Sequence, residues 1–114
     1  MNAMVYVRGQ REDYDEWAAL GNTGWSYDEV LPYFKKSEHN EEFNDEFHGQ
    51  GGPLNVAALR TDNPFQQIYV NAAKEAGFSI NRDFNGATQE GLGPYQVTQI
   101  NGERCSAARG YLHP

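Results

Sequence analysis

Apolar positions recur along this chain with changing period, and each change marks an element. Met1 to Val7 is apolar and β-branched enough to predict a strand or a buried extended loop, ended by Gly9. From Arg11 to Leu20 the spacing turns helical: Tyr14, Trp17 and Ala18 fall at i, i+3 and i+4, acidic residues fill the first turn where the helix dipole favours them, and Gly21 is the stop. A second helix is signalled by its boundary. Ser26 is a good N-cap, Glu29 completes a capping box three residues on, and Trp25 and Val30 occupy the flanking staple positions. Pro32 removes a backbone donor, so a bend or a tightened first turn is expected before the element closes near Ser37.

Residues 38–52 are polar and glycine-rich, with only Phe43 and Phe47 as apolar anchors, and read as a long surface loop. Leu54 and Val56 alternate with Asn55 and predict a short strand. Asn63, Pro64 and Gln66 form a helix start, followed by an apolar stripe of Phe65, Ile68, Tyr69, Ala72 and Ala76 up to Gly77. Leu92 to Ile100 reads as strand, with Tyr95 and Val97 on one face, and Asn101-Gly102 predicts a type I′ hairpin turn. Ser106 caps a last short helix. The expected fold class is α+β, three to four helices with a small antiparallel sheet.

Charge and composition narrow the partners. Sixteen acidic against nine basic residues give a formal charge of -7, which opposes binding to nucleic acid and to anionic membranes. At 114 residues with 39% hydrophobic content the chain has the size of one domain and a small core. A single cysteine, Cys105, has no internal disulfide partner, and no apolar run is long enough for a signal sequence or a membrane span. A reducing, cytoplasmic setting fits the chain, with membrane association left open for a longer parent.

Candidate chemistry is sparse. His39, His48 and His113 show no ligand spacing, so no metal site is expected, and Ser106 beside Cys105 lacks the partners of a nucleophile. Glu12, Asp13, Asp15 and Glu16 are explained by a helix first turn rather than by acid/base work. His48 is expected to hydrogen-bond loop backbone.

Six stretches occur in an order that adds meaning to them. Asn2 to Trp17 with Gly24-Trp25-Ser26-Tyr27 comes first, then Phe47-His48-Gly49, Gly52-Pro53-Leu54, Asp83-Phe84-Asn85-Gly86, Gln89-Glu90-Gly91-Leu92-Gly93, and Asn101 to Leu112. Together they resemble the glucose-methanol-choline (GMC) oxidoreductases over nearly the whole chain, most closely the alcohol and choline dehydrogenase branch. The resemblance implies an internal fragment of an FAD-dependent enzyme: residues 1–37 a flavin-contacting segment with two helices, 38–52 a loop, and 53–114 part of the substrate domain. The Gly-Gly-Ser-Ser turn that precedes the Asn in the family is absent, as are a G-x-G-x-x-G turn and the family's C-terminal catalytic His. No catalytic residue is therefore expected in this chain.

The resemblance places Asn2, Ala3, Met4 and Val5 against the isoalloxazine ring, with Ala3 facing the substrate; from the residue alone, Asn2 reads equally as a turn cap. Some members tether FAD through a His directly before this Asn. Met1 stands there, which implies non-covalent flavin. Tyr95 is a second pocket candidate, although a strand tyrosine is more often core. The implied partners are the missing FAD-binding and C-terminal parts of the same chain and a small alcohol, choline or another primary alcohol, with self-association through surfaces those parts would cover. The rival expectation is a free-standing acidic interaction module without catalysis.

Overall fold

Local capping chemistry places the helices. In the computed structural model, which describes residues 3–61 and 63–113, α1 spans Arg11–Ala19 and α2 spans Tyr27–Ser37. At the start of α2 the Glu29 carboxylate accepts from both the Ser26 N–H, at 3.1 Å, and the Ser26 hydroxyl, at 2.6 Å. The two helices are also stitched to each other: Tyr27 N–H donates to Asp15 Oδ1 at 3.0 Å, so an acid in the middle of α1 serves as a cap for its neighbour. Helix α2 runs through Pro32 without interruption. Trp25 meets Trp17 edge-on, with ring centroids 5.8 Å apart. Replacing Ser26 with Ala should cost about 1 kcal/mol of stability, and with Gly only a few tenths, measured by urea unfolding; equal losses would mean that the cap does not form.

Tyr14, Tyr27 and Val30 make the apolar core between these helices, with Leu31 and Phe34 packed on it. Beyond α2 the chain enters β1 (Glu38–Asn40), makes an excursion, and returns as β2 (Leu54–Ala58). These two strands are parallel, Glu38 opposite Leu54 and Asn40 opposite Val56, and β3 (Gln96–Val97) pairs antiparallel on the other side of β2. The α+β expectation holds, but the sheet is mixed rather than purely antiparallel, because the excursion through 41–53 carries the chain back to the end where β1 began. Residues 38–52 are correspondingly not a surface loop throughout. Glu38, Asn40 and His48 are buried.

Helix α3 (Pro64–Glu75) begins as the sequence predicts, with Asn63 Oδ1 accepting from Phe65 N–H at 3.0 Å and Pro64 at its first position. Its predicted stripe does not face the core. Phe65, Ile68 and Tyr69 are 71%, 57% and 64% exposed, whereas Gln66 and Val70 are half-buried and Ala73 is buried. The strand expected over 92–100 is also broken up: Leu92 makes a lone parallel bridge with Ile80, and Gln96 and Val97 are both buried instead of alternating.

Strands β4 (Gln99–Ile100) and β5 (Glu103–Arg104) form the expected hairpin, with Asn101 and Gly102 at φ +52° and +82°. Positive φ at both central residues is the type I′ signature, matched to strand twist. Arg109 N–H donates to Ser106 Oγ at 3.1 Å, which caps the final short helix, α4 (Ala108–Leu112), of π-type bonding.

Candidate functional site

The N-terminal segment is an extended strip with two unlike sides. Along residues 3–8 exposure alternates: Ala3, Val5 and Val7 face outward, the last two 48% and 42% exposed, while Met4 and Tyr6 are half-buried and Arg8 is buried. The strip adds to the sheet beside β3, with Tyr6 N–H donating to Gln96 C=O at 2.9 Å and Thr98 N–H donating to Met4 C=O at 2.9 Å. In an extended chain the backbone groups of successive residues point to opposite edges. Those of Val5 and Val7 therefore point off the edge away from β3 and have no hydrogen-bond partner among the described residues. Met4 sits at φ +66°, a left-handed backbone that is costly for a residue with a side chain and clusters at ligand clamps.

Strain gathers in this strip in a second way. Among the described residues, the buried side-chain polar atoms without a hydrogen-bond partner are Tyr6 Oη and Arg8 Nε. Burial pushes the Tyr6 phenol up from its ordinary range, more than the neighbouring Arg8 charge lowers it.

Beneath the strip lies a core of charges that sequence reasoning did not foresee. Arg8 and Glu38 form an ion pair at 2.7 Å with side chains 2% and 0% exposed. The same guanidinium donates to Phe47 C=O at 2.8 Å. His48, expected to bond loop backbone, instead lies between two carboxylates: Nδ1 is 3.2 Å from Glu38 Oε1 and Nε2 is 2.9 Å from Asp83 Oδ2. Burial alone would lower the imidazole pKa, but the bonds to Asp83 and Glu38 and their charges outweigh it and raise it to about 9. Both ring nitrogens thus carry protons and donate at neutral pH.

The carboxylates respond in the opposite sense. Burial would raise Glu38, yet donation from His48, Asn40 and the Gly49 N–H, together with the Arg8 charge, holds it below the usual range. Asp83 is likewise held low, its burial outweighed by His48 and the Asn85 N–H. Two cations and two anions cancel in this cluster, in which only Asp83 is partly exposed, and the cancellation makes their burial tolerable.

Neutral amides complete the network. Asn40 donates to Glu38 Oε1 at 2.8 Å and exchanges amide bonds with Gln96 at 2.9 and 3.1 Å. Gly49 is required here because a Cβ at that position would lie 1.9 Å from the Lys35 carbonyl oxygen. The Phe47-His48-Gly49 and Asp83-Phe84-Asn85-Gly86 motifs were the signal for this core, but the sequence does not say that they meet.

The two pocket candidates, Ala3 and Tyr95, do not line a common groove. Tyr95 stacks on Phe84 at 4.8 Å and lines a groove of about 620 Å³ with Phe43, Leu59, Val70 and Ile80. Ala3 is not among the residues lining it. Asn2 and Met1 lie outside the described residues. A second cleft of about 340 Å³ runs along Arg8–Glu12 and Phe84–Glu90.

The acids and histidines of lesser interest have plain roles. Asp13 Oδ2 accepts from Gln10 N–H, and His39 Nδ1 accepts from Gly51 N–H at 2.9 Å. Asp45, His48 and Asp83 place ligand atoms within 4.8 Å of one another, but both His48 nitrogens are already committed. Cys105 is buried and unpaired, its sulfur 3.4 Å from the Asn55 N–H.

Comparison with known proteins gives the family. The sequence pattern of the GMC oxidoreductases matches residues 1–114, and the chain belongs to that family. It is 46% identical over 114 residues to an oxygen-dependent choline dehydrogenase of Brucella anthropi, covering 100% of this chain and 21% of that one. It is 48% identical to an alcohol dehydrogenase [acceptor] of Pseudomonas putida, covering 99% of this chain and again 21% of the relative. The fold matches that of an FAD-dependent oxidoreductase from Chaetomium thermophilum with a TM-score of 0.87 and 32% identity, over 96% of this chain and 21% of the other. The chain thus spans about a fifth of the length of the relatives it matches. Among the described residues no helix is long and apolar enough to cross a membrane.

Proposed function

We propose that this chain is the flavin-facing segment of an FAD-dependent oxidoreductase that converts a small alcohol to an aldehyde. The observation that carries this reading is the strip Ala3–Val7: one side anchored on β3, the other side and edge open, apolar and free of long side chains. Such an edge fits a flat ring, because backbone can approach a ring face only where side chains do not intervene. Ala3, Met4 and Val5, with Asn2 before them, would hold the isoalloxazine, without a covalent bond since Met1 cannot form one. Bound there, the flavin would accept hydride from the alcohol carbon.

This chain's own part is to orient and to exclude water. Val5 and Val7 present an apolar wall to the ring, and the Met4 turn aims Ala3 toward the substrate side. Its histidines do not serve as the base: both His48 ring nitrogens are held in the charge core, and His39 Nδ1 is held by Gly51. The base belongs to the rest of a longer protein, which would also hold the adenine and pyrophosphate of the cofactor. The likeness to relatives named choline dehydrogenase and alcohol dehydrogenase supports a small primary alcohol as the substrate. The unpaired, buried Cys105 suits a reducing, cytoplasmic setting.

The test is a flavin titration. The 114-residue chain mixed with excess FAD should leave flavin fluorescence and absorbance unchanged and reduce no dye with choline or primary alcohols, because the dinucleotide-binding contacts that supply most of the affinity are absent. The full-length protein should take up FAD tightly and turn over. Stoichiometric binding by the short chain would overturn this reading.

A further inference from the structure

The buried charges close a ring that returns to its starting residue. Arg8 Nη2 donates to Glu38 Oε2 at 2.7 Å, and the other oxygen of Glu38 accepts from His48 Nδ1. His48 Nε2 donates to Asp83 Oδ2, and the other oxygen of Asp83 accepts from the Asn85 N–H at 2.9 Å. Asn85 Oδ1 then accepts from the Arg8 N–H at 2.7 Å. Arg8 is therefore held twice, by its guanidinium and by its backbone.

The loop 83–89 acts on the strip as a neighbouring strand would. The Asn85 amide also donates to Tyr6 C=O at 3.0 Å, and Gln89 donates to Arg8 C=O at 2.7 Å. The backbone of residues 6–8 takes its register from these bonds, and residues 3–7 lie immediately before. The functional reading above gives this ring no task.

Resting on that reading, we propose that His48 is a positioning residue: as the cation that bridges Glu38 to Asp83, it holds the 83–89 loop against the strip and so sets the angle at which Ala3–Val7 meets the flavin. A neutral imidazole has one N–H and can donate to only one of the two carboxylates. Loss of its proton opens the ring at Glu38 or at Asp83. The charged groups that face His48 are Glu38 from β1, Asp83 from the 83–89 loop and Asp45 from the 41–53 excursion, with Arg8 behind Glu38; the Asn40 amide and the Phe43 ring, 5.1 Å away, complete its surroundings.

The experiment follows visible circular dichroism of FAD bound to the full-length protein from pH 6 to pH 10, with far-UV circular dichroism recorded beside it. The flavin signal should change reversibly with a midpoint near the His48 pKa of about 9 while the far-UV signal stays constant. His48→Gln should abolish that transition and show the alkaline spectrum at every pH. Asp83→Asn keeps the imidazole but removes one facing charge, so its midpoint should fall by about one pH unit, a tenfold loss of proton affinity. A transition that persists in His48→Gln, a midpoint unmoved in Asp83→Asn, or a flat wild-type curve would each overturn the proposal. Should His48→Gln fail to fold, the wild-type and Asp83→Asn curves decide alone. A full-length protein that takes up no FAD overturns the functional reading itself, whereas uptake with a flat curve removes only the role of His48.

Discussion

Replacing Arg8 with Met should destabilise the fold by about 3–5 kcal/mol, the range for breaking a buried ion pair from one side. The methionine side chain is shorter but apolar and close in volume, so packing loss is the smaller part of the effect. What is lost is the charge opposite Glu38, whose side chain is fully buried, and the donor to Phe47 C=O. Glu38 would keep His48, Asn40 and the Gly49 N–H, which limits the damage but leaves a net negative charge in the core. Two further variants identify the cause. Arg8→Lys should recover only part of the loss, because one ammonium cannot reproduce a planar fork that reaches Phe47 and Glu38 through separate nitrogens. Arg8→Met combined with Glu38→Gln should cost clearly less than the sum of the two single changes, since the second removes the charge that the first stranded. Urea unfolding followed by Trp17 and Trp25 fluorescence gives the values for these three variants and for Glu38→Gln alone. A loss below about 1 kcal/mol for Arg8→Met, or strict additivity, would mean that the pair is not buried as described.

The elements that were legible in the sequence are those coded by adjacent residues. The Glu29 carboxylate closing on Ser26, Asn63 before Pro64, and Asn101-Gly102 each specify a backbone conformation within a few positions, and each stands where expected. Facing direction was less legible. The stripe Phe65, Ile68 and Tyr69 has the right period, but period alone does not say which side of a helix will be covered, and the less exposed side carries Gln66, Val70 and Ala73 instead.

The charge core was not legible as a cluster, although two of its motifs stood out, because Arg, Glu, His and Asp are residue types found mostly at surfaces unless partnered. The partners here are distant in the chain: Arg8 and Asn85 are 77 positions apart, and Asn40 and Gln96 are 56. Only the fold makes them neighbours, so no local pattern could announce them. The proposal that the strip faces the flavin came from resemblance, and what the structure adds is the strip's physical form, an alternation of anchored and open positions with a left-handed residue at Met4.

Stability should fall as pH rises from about 6.5 toward 9, a window in which lowered carboxylates alone would leave it flat. The sign follows from His48. Its folded pKa of about 9 lies above the ordinary 6.5, so between those values the folded chain binds a proton that the unfolded chain does not. Stability is then fully present below pH 6.5 and declines by up to about 1.4 kcal/mol per pH unit through the window, roughly 3 kcal/mol in total. On the acid side the sign reverses, because Glu38 and Asp83 are held low in the folded state and their contribution disappears as they are forced to protonate. Maximum stability therefore belongs between the carboxylate range and pH 6.5. Unfolding free energies measured at half-unit intervals from pH 4 to pH 10 would show the two limbs. His48→Gln should remove the alkaline limb and move the acid limb upward, since both carboxylates lose the cation that holds them ionised. A wild-type curve that is flat or rising between pH 7 and pH 9 would mean that His48 is neutral in the fold, and that the ring through Glu38 and Asp83 is held by one hydrogen bond fewer.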